Sequence, residues 1–227
     1  MLDEKRILFE DNHLIAVLKF AGEIVQGDKT GDQPLSELVA DFLKKKYEKP
    51  GDAFIGVIHR IDRPVSGVVL LAKTSKALSR MNELFRDKQV KKTYWALVEG
   101  APLLKEGKIE GYLFRNEKLN KSFFSENPRQ NALASSLSYR LVRQYDRYSL
   151  LEIHPHTGRH HQIRVMLAHI GNPIKGDVKY GARRANPDQS ICLHARALQF
   201  IHPIKKENIL IQALLPETKA WEFVEAN

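Results

Sequence analysis

Asp62 stands between Arg60 and Arg63 in the run FIGVIHRIDRPVSGVVLLAK, residues 54–73. A carboxylate flanked by cations stays ionised at neutral pH, because opposite charge favours the charged form. Such a group can act as a nucleophile or stabilise developing positive charge. It can also be an ordinary turn aspartate paired with a surface arginine. This stretch fits both. Its apolar ends, Phe54–Ile58 and Val68–Ala72, predict two buried strands joined through His59, Arg60, Asp62, Arg63, Pro64, Ser66 and Gly67. If the first strand runs on far enough, Arg60 and Asp62 share a face.

A second group of reactive side chains lies in residues 154–181, HPHTGRHHQIRVMLAHIGNPIKGDVKYG. His154, His156, His160, His161 and His169 raise the possibility of zinc, yet no HExxH and no nearby cysteine accompany them, so loop histidines are preferred and no metal is expected. Phosphotransfer and hydride chemistry lack their glycine-rich fingerprints. Ser66 lacks a nucleophile elbow, and Cys192 falls in an apolar strand where it is inert. What remains is one carboxylate framed by arginines.

The elements that must position these groups follow from periodicity. Residues 7–18 predict two strands around Glu10-Asp11-Asn12, followed by a polar loop from Gln26 to Gln33. Residues 35–47 predict a helix with Leu35, Leu38, Val39, Phe42 and Leu43 on one face and three lysines in its last turn. A helix over 76–89, capped by Thr74 or Ser75, precedes a strand over 91–100 that puts Tyr94, Ala96 and Val98 on one face. Residues 101–134 suggest a hairpin with a mobile excursion. Strands return at 137–146 and 148–154, a helix spans 160–170, and two strands close the chain. Thr157-Gly158 before that last helix offers backbone N–H groups to an anion.

The whole chain has 227 residues, enough for one large domain or two lobes. Thirty-six basic against 27 acidic residues give a net charge of +9, which points to a polyanionic partner, most simply nucleic acid. No stretch approaches the ~18 apolar residues of a membrane span, no signal peptide opens the chain, and the single cysteine suits a reducing cytoplasm. On these grounds a nucleic-acid binder and an enzyme fit equally.

Three segments resemble the motifs of the RluA-type RNA pseudouridine synthases: HRIDRPVSGVVLLAK (59–73), KKTYWALVEG (91–100) and HTGRHHQIRVMLAHIGNPIKGDVKYG (156–181). Residues 7–28 resemble the family's N-terminal strand pair and LHARALQFIHP its closing motif, in family order from about residue 7 to 215. The resemblance implies an α+β fold: a long mixed, mostly antiparallel sheet with flanking helices and a central active-site cleft. It implies cofactor-free isomerisation of uridine in a ribosomal or transfer RNA stem-loop by a cytoplasmic monomer. Asp62 matches the catalytic aspartate, Tyr94 the tyrosine that stacks on the base and takes the C5 proton, and Arg164 the cation paired with the aspartate. Arg60 matches a residue that fills the gap left by a flipped uridine. His59, Arg63, Lys73, Arg159 and Gln162 complete the expected RNA-binding set. Val65, His160 and the Leu18-Lys19-Phe20 run depart from the family pattern. The chain is expected to be a single two-lobed catalytic domain, residues 1–227, without an N-terminal S4 domain. A catalytically silent RNA chaperone is the rival reading.

Overall fold

The computed structural model describes residues 2–28, 31–48, 50–222 and 224, so part of the polar loop expected at 26–33 lies outside the described residues. These residues form eleven strands and three α-helices. They group into two compact units, Met1–Lys91 with Ala195–Pro216, and Lys92–His194 with Glu217–Asn227.

In the first unit, β1 (Ile7–Glu10) and β2 (Leu14–Lys19) form the expected hairpin. Asp11 closes its turn, the Oδ1 atom accepting from the N–H groups of His13 and Leu14, both at 2.8 Å. Helix α1 (Leu35–Lys46) buries Leu35, Val39 and Leu43. Its first N–H groups are anchored on the Ile24 and Val25 carbonyls. The short β3 (Gly56–Val57) and the long β4 (Ser66–Ala72) pair antiparallel, and β2 pairs with β4 along its full length. The expected strand at 54–58 thus shrinks to two residues, and Phe54 is exposed rather than buried. Thr74 caps α2 (Ser75–Arg86), its hydroxyl accepting from Ala77 N–H at 3.2 Å.

Ala77 and Met81 of α2 pack on Leu14, Ala16, Val68, Leu70 and Ala72, joined by Leu198 and Phe200 of β10 (Leu193–Ile201) and Ile211 of β11 (Asn208–Gln212). The alternate residues Ile15, Val17, Val69 and Leu71 are also fully buried, so β2 and β4 are covered on both faces. Each such side chain contributes ~1.5–3 kcal/mol by burial. That apolar surplus offsets the cost of ionic groups held at the ends of the same strands. The sheet order here is β1-β2-β4-β10, with β3 on β4 and β11 on β10.

One ionic group ties three elements of this unit. Glu10 accepts from Lys73 Nζ at 2.6 Å, Tyr47 Oη at 2.7 Å and Lys46 Nζ at 2.8 Å. Burial alone would raise its pKa, but these hydrogen bonds and the Lys73 charge bring it down from 4.5 to about 2. The folded value lies below the unfolded one, so the stability is present above pH 4.5 and is lost as pH falls from 4.5 towards about 2. Glu10→Gln is expected to flatten the acid limb of stability over that window, measured by urea unfolding at stepped pH.

The second unit is a sheet ordered β5-β9-β8-β6-β7, its four pairs antiparallel among the described residues. Its strands are β5 (Lys91–Glu99), β6 (Glu106–Asn116), β7 (Lys121–Ser125), β8 (Leu133–Gln144) and β9 (Tyr148–Pro155). The segment 101–134 therefore contains the expected hairpin, β6–β7, together with the start of β8. Helix α3 (Gln162–His169) begins two residues later than its periodicity suggested. His161 adopts a left-handed backbone, φ 54°, and the helix cannot extend back through it. No helix among the described residues is long and apolar enough to cross a membrane.

Candidate active site

The first unit presents Asp62 on a turn rather than at the end of a strand. Strand β3 stops at Val57, so alternation does not carry Arg60 and Asp62 onto one face. The Asp62 carbonyl accepts from Val65 N–H at 3.0 Å, and the buried Ile61 and Val65 anchor the turn on either side. Just beyond it, Gly67 has φ +123°, and a Cβ there would lie 2.3 Å from the Ala195 carbonyl oxygen. Only glycine lets β10 approach this close behind the turn.

Beneath the turn lies Lys19, fully buried at the end of β2. Its ammonium donates to the carbonyls of Val65 at 2.7 Å, Phe20 at 2.9 Å and Arg63 at 3.0 Å. Three acceptors match the three donors of the charged group. Burial pushes its pKa down to about 7, while the charges of Glu23 and Asp62 act in the opposite direction. Gly22 N–H adds a fourth contact, on the Arg63 carbonyl at 2.8 Å. Lys19→Met would take this donor from the Phe20 and Val65 carbonyls, each loss costing ~1–3 kcal/mol, while the Arg63 carbonyl keeps Gly22 N–H. The expected result is a lower melting temperature, with the turn that bears Asp62 displaced.

Around the turn, Arg60 is exposed and Arg63 pairs with Asp32 at the surface. His59 Nε2 accepts from Leu70 N–H at 3.0 Å, and its ring stacks on Phe85 with centroids 5.1 Å apart. Lys73 has its ammonium held on Glu10 with the side chain only 10% exposed, and it braces β1 against β4.

In the second unit Tyr94 lies on β5 opposite Ile153 of β9 and is half-buried. Neighbouring Glu152 accepts from Arg140 at 2.8 Å and contacts His154 at 3.2 Å. Burial raises its pKa, but the Arg140 and His154 partners outweigh this and hold it below the usual range. Arg164 on α3 is buried, with Nε donating to Asp177 Oδ2 at 2.7 Å and Nη2 to Oδ1 at 2.8 Å. Its Cζ lies 5.1 Å from the Tyr180 ring centroid. Tyr180 Oη accepts from Ser122 N–H at 2.8 Å and lies 2.9 Å from His161 Nδ1. These contacts tie the start of α3, β7 and the Asp177–Tyr180 segment together, with the guanidinium fixed among them.

Gln162 is likewise engaged within the protein. It is buried, its Oε1 accepts from Arg159 N–H at 3.0 Å and Thr157 Oγ1 at 2.7 Å, and its Nε2 donates to the Ser136 carbonyl at 3.0 Å. The amide shapes the loop before α3. Arg159 stays exposed, its Nε 3.3 Å from the Ala134 carbonyl. The histidines serve locally: His160 contacts Ser122 at 2.8 Å, and His169 packs on Phe124 with centroids 4.1 Å apart.

Sequence reasoning missed Asp177 and Lys19. An arginine on the apolar side of α3 demands a buried acid, and Asp177 is the acid nearest in that motif. A lysine closing the apolar run of β2 demands acceptors in the same way.

Residues 13–169 match the RNA pseudouridylate synthase family. The chain belongs to that family. It is 33% identical to "Ribosomal large subunit pseudouridine synthase C" of Vibrio cholerae, an alignment covering 93% of this chain and 66% of that one. It is 34% identical to "tRNA pseudouridine synthase C" of Haemophilus influenzae, covering 93% of each. The chain thus spans about two thirds of the first relative and nearly all of the second. The solved structure of human RNA pseudouridylate synthase domain containing 4 shares the fold, with a TM-score of 0.79 over 94% of this chain and 89% of that one at 24% identity. The resemblance seen in the sequence and the expected α+β, mostly antiparallel fold are both borne out.

Proposed function

We propose that the chain is an RNA pseudouridine synthase that isomerises specific uridines in ribosomal or transfer RNA. The observation that carries this is the family match across residues 13–169, which includes Asp62, Tyr94 and Arg164. The reaction breaks the N1–C1′ bond, turns the base and joins C5 to C1′. Asp62 is the carboxylate that attacks or stabilises the sugar during that exchange, as carboxylates do in glycoside chemistry. Arg164 is the cation that partners Asp62 in this reading, its guanidinium held by the Asp177 fork. Tyr94 stacks on the base and accepts the C5 proton. A uridine paired in a stem must be flipped out, and the exposed Arg60 fills the vacated place. His59, Arg63 and Arg159 hold the surrounding RNA. The enzyme needs no cofactor or metal and works in the cytoplasm as a monomer, its two units serving one catalytic domain.

The test uses unmodified transfer and ribosomal RNA transcripts tritiated at uridine C5. Wild-type protein is expected to release tritium and leave pseudouridine at defined positions. Binding without tritium release from any transcript would instead establish the RNA chaperone.

A further inference from the structure

Lys92 lies two residues before Tyr94 on β5, so both side chains leave the same face of the strand. Its ammonium is half-buried and has gained no acid in return. Burial pushes its pKa down, and no charged neighbour acts against that. The other buried lysines are all satisfied: Lys73 by Glu10, Lys19 by three carbonyls. A lysine stem usually lets its head group reach water, yet this one is kept partly desolvated with neither hydrogen bond nor ion pair among the described residues.

What the ammonium faces is Gly158. A Cβ on Gly158 would lie 3.8 Å from Lys92 Nζ and would meet nothing else within 4 Å. The Gly158 backbone lies outside the left-handed region, so conformation alone does not call for glycine here. The missing side chain leaves an open approach to the ammonium, alongside a main-chain N–H that has no protein acceptor among the described residues. The surrounding loop is held firmly. Thr157 Oγ1 accepts from Ser136 N–H at 3.0 Å and donates to Gln162 Oε1 at 2.7 Å, and Gln162 Nε2 donates to the Ser136 carbonyl at 3.0 Å. The Arg159 N–H is already taken by Gln162, whereas the Gly158 N–H and the Lys92 ammonium have no acceptor among the described residues. A ligand here must be anionic, small enough for the notch at Gly158, and attached to something that reaches the Tyr94 face.

We propose that Lys92 and the Gly158 main chain bind a phosphodiester of the RNA, beside the nucleotide whose base meets Tyr94. This inference rests on the function proposed above. It makes Lys92 a substrate-binding residue with no part in the bond changes. A phosphate supplies the charge partner that the protein withholds, and it arrives only with RNA.

The experiment compares wild type, Lys92→Gln and Lys92→Arg, using filter binding of the same transcripts across a potassium chloride series, tritium release and thermal melting. Lys92→Gln is expected to reduce the slope of log Kd against log salt by about 0.7–0.9, the share of one phosphate contact. KM should rise about tenfold, as for loss of one charge-assisted hydrogen bond, with little change in kcat. Lys92→Arg should restore the slope. The glutamine variant should melt no lower than wild type, because an unpaired half-buried charge has been removed. An unchanged salt slope overturns the proposal. So does a lower melting temperature with kcat falling and the slope intact, which would mark a structural lysine. If wild type binds RNA but releases no tritium, the isomerase reading fails, and the salt slope still decides whether Lys92 meets a phosphate.

Discussion

Asp62→Asn is expected to lower tritium release from C5-labelled transcripts by about 10⁴-fold or more, the scale on which covalent or charge-stabilising carboxylates and nucleophiles matter. The substitution is chosen to spare the fold. The turn uses the main-chain carbonyl of residue 62, and asparagine suits turns as well as aspartate does. The Lys19 clamp acts on the carbonyls of Phe20, Arg63 and Val65, none of which the substitution alters. The charge of Asp62 does help keep Lys19 protonated, so a stability loss of up to about 1 kcal/mol is expected, readable in urea. Filter binding should be nearly unchanged. Modification that survives in a folded Asp62→Asn protein removes the carboxylate from the mechanism. A protein whose cellular role is fully complemented by that variant is the RNA chaperone, not the enzyme.

The sequence showed its elements more clearly than its buried ionic contacts, for a physical reason. Strand and helix periodicity depends on many apolar residues, so α2 with its Thr74 cap, β5 and β9 emerged at nearly their observed bounds, while β8 starts four residues before the expected Leu137. The exceptions turned on single backbone states. The left-handed His161 shortens α3, and β3 stops at Val57, leaving Asp62 on a loop. Side-chain commitments were harder to see. Lys73 and Gln162 look, as residue types, like RNA ligands, yet Glu10, sixty-three residues away in sequence, holds one, and the Thr157–Arg159 loop and Ser136 hold the other. Asp62, Tyr94 and Arg164 were named through family resemblance, since charge and spacing alone left binder and enzyme equal. Lys92 is the opposite case. It is an unremarkable residue in sequence, and only its burial and its position facing Gly158 give it a role.

Arg164 and Asp177 should give the largest stability effect in the chain. Both side chains are almost wholly removed from solvent, 6% and 1% exposed, and they meet through two parallel hydrogen bonds of 2.7 and 2.8 Å. A buried pair of this kind need not exceed an apolar replacement in net stability, but removing one partner strands the other charge. Arg164→Met and Asp177→Asn are therefore each expected to cost about 3–5 kcal/mol in urea unfolding. The double variant should cost much less than the sum, because neither charge is then left alone. Arg164→Lys keeps the charge but loses the fork, and its cost should fall between wild type and Arg164→Met. Activity separates structure from chemistry. Asp177→Asn leaves the Arg164 cation in place but loosens its aim, so the fraction that folds should retain measurable tritium release. Arg164→Met removes the proposed partner of Asp62, and its folded fraction should be far less active. If both variants lose activity only in proportion to unfolded protein, Arg164 is a structural residue of α3 and not the partner of Asp62.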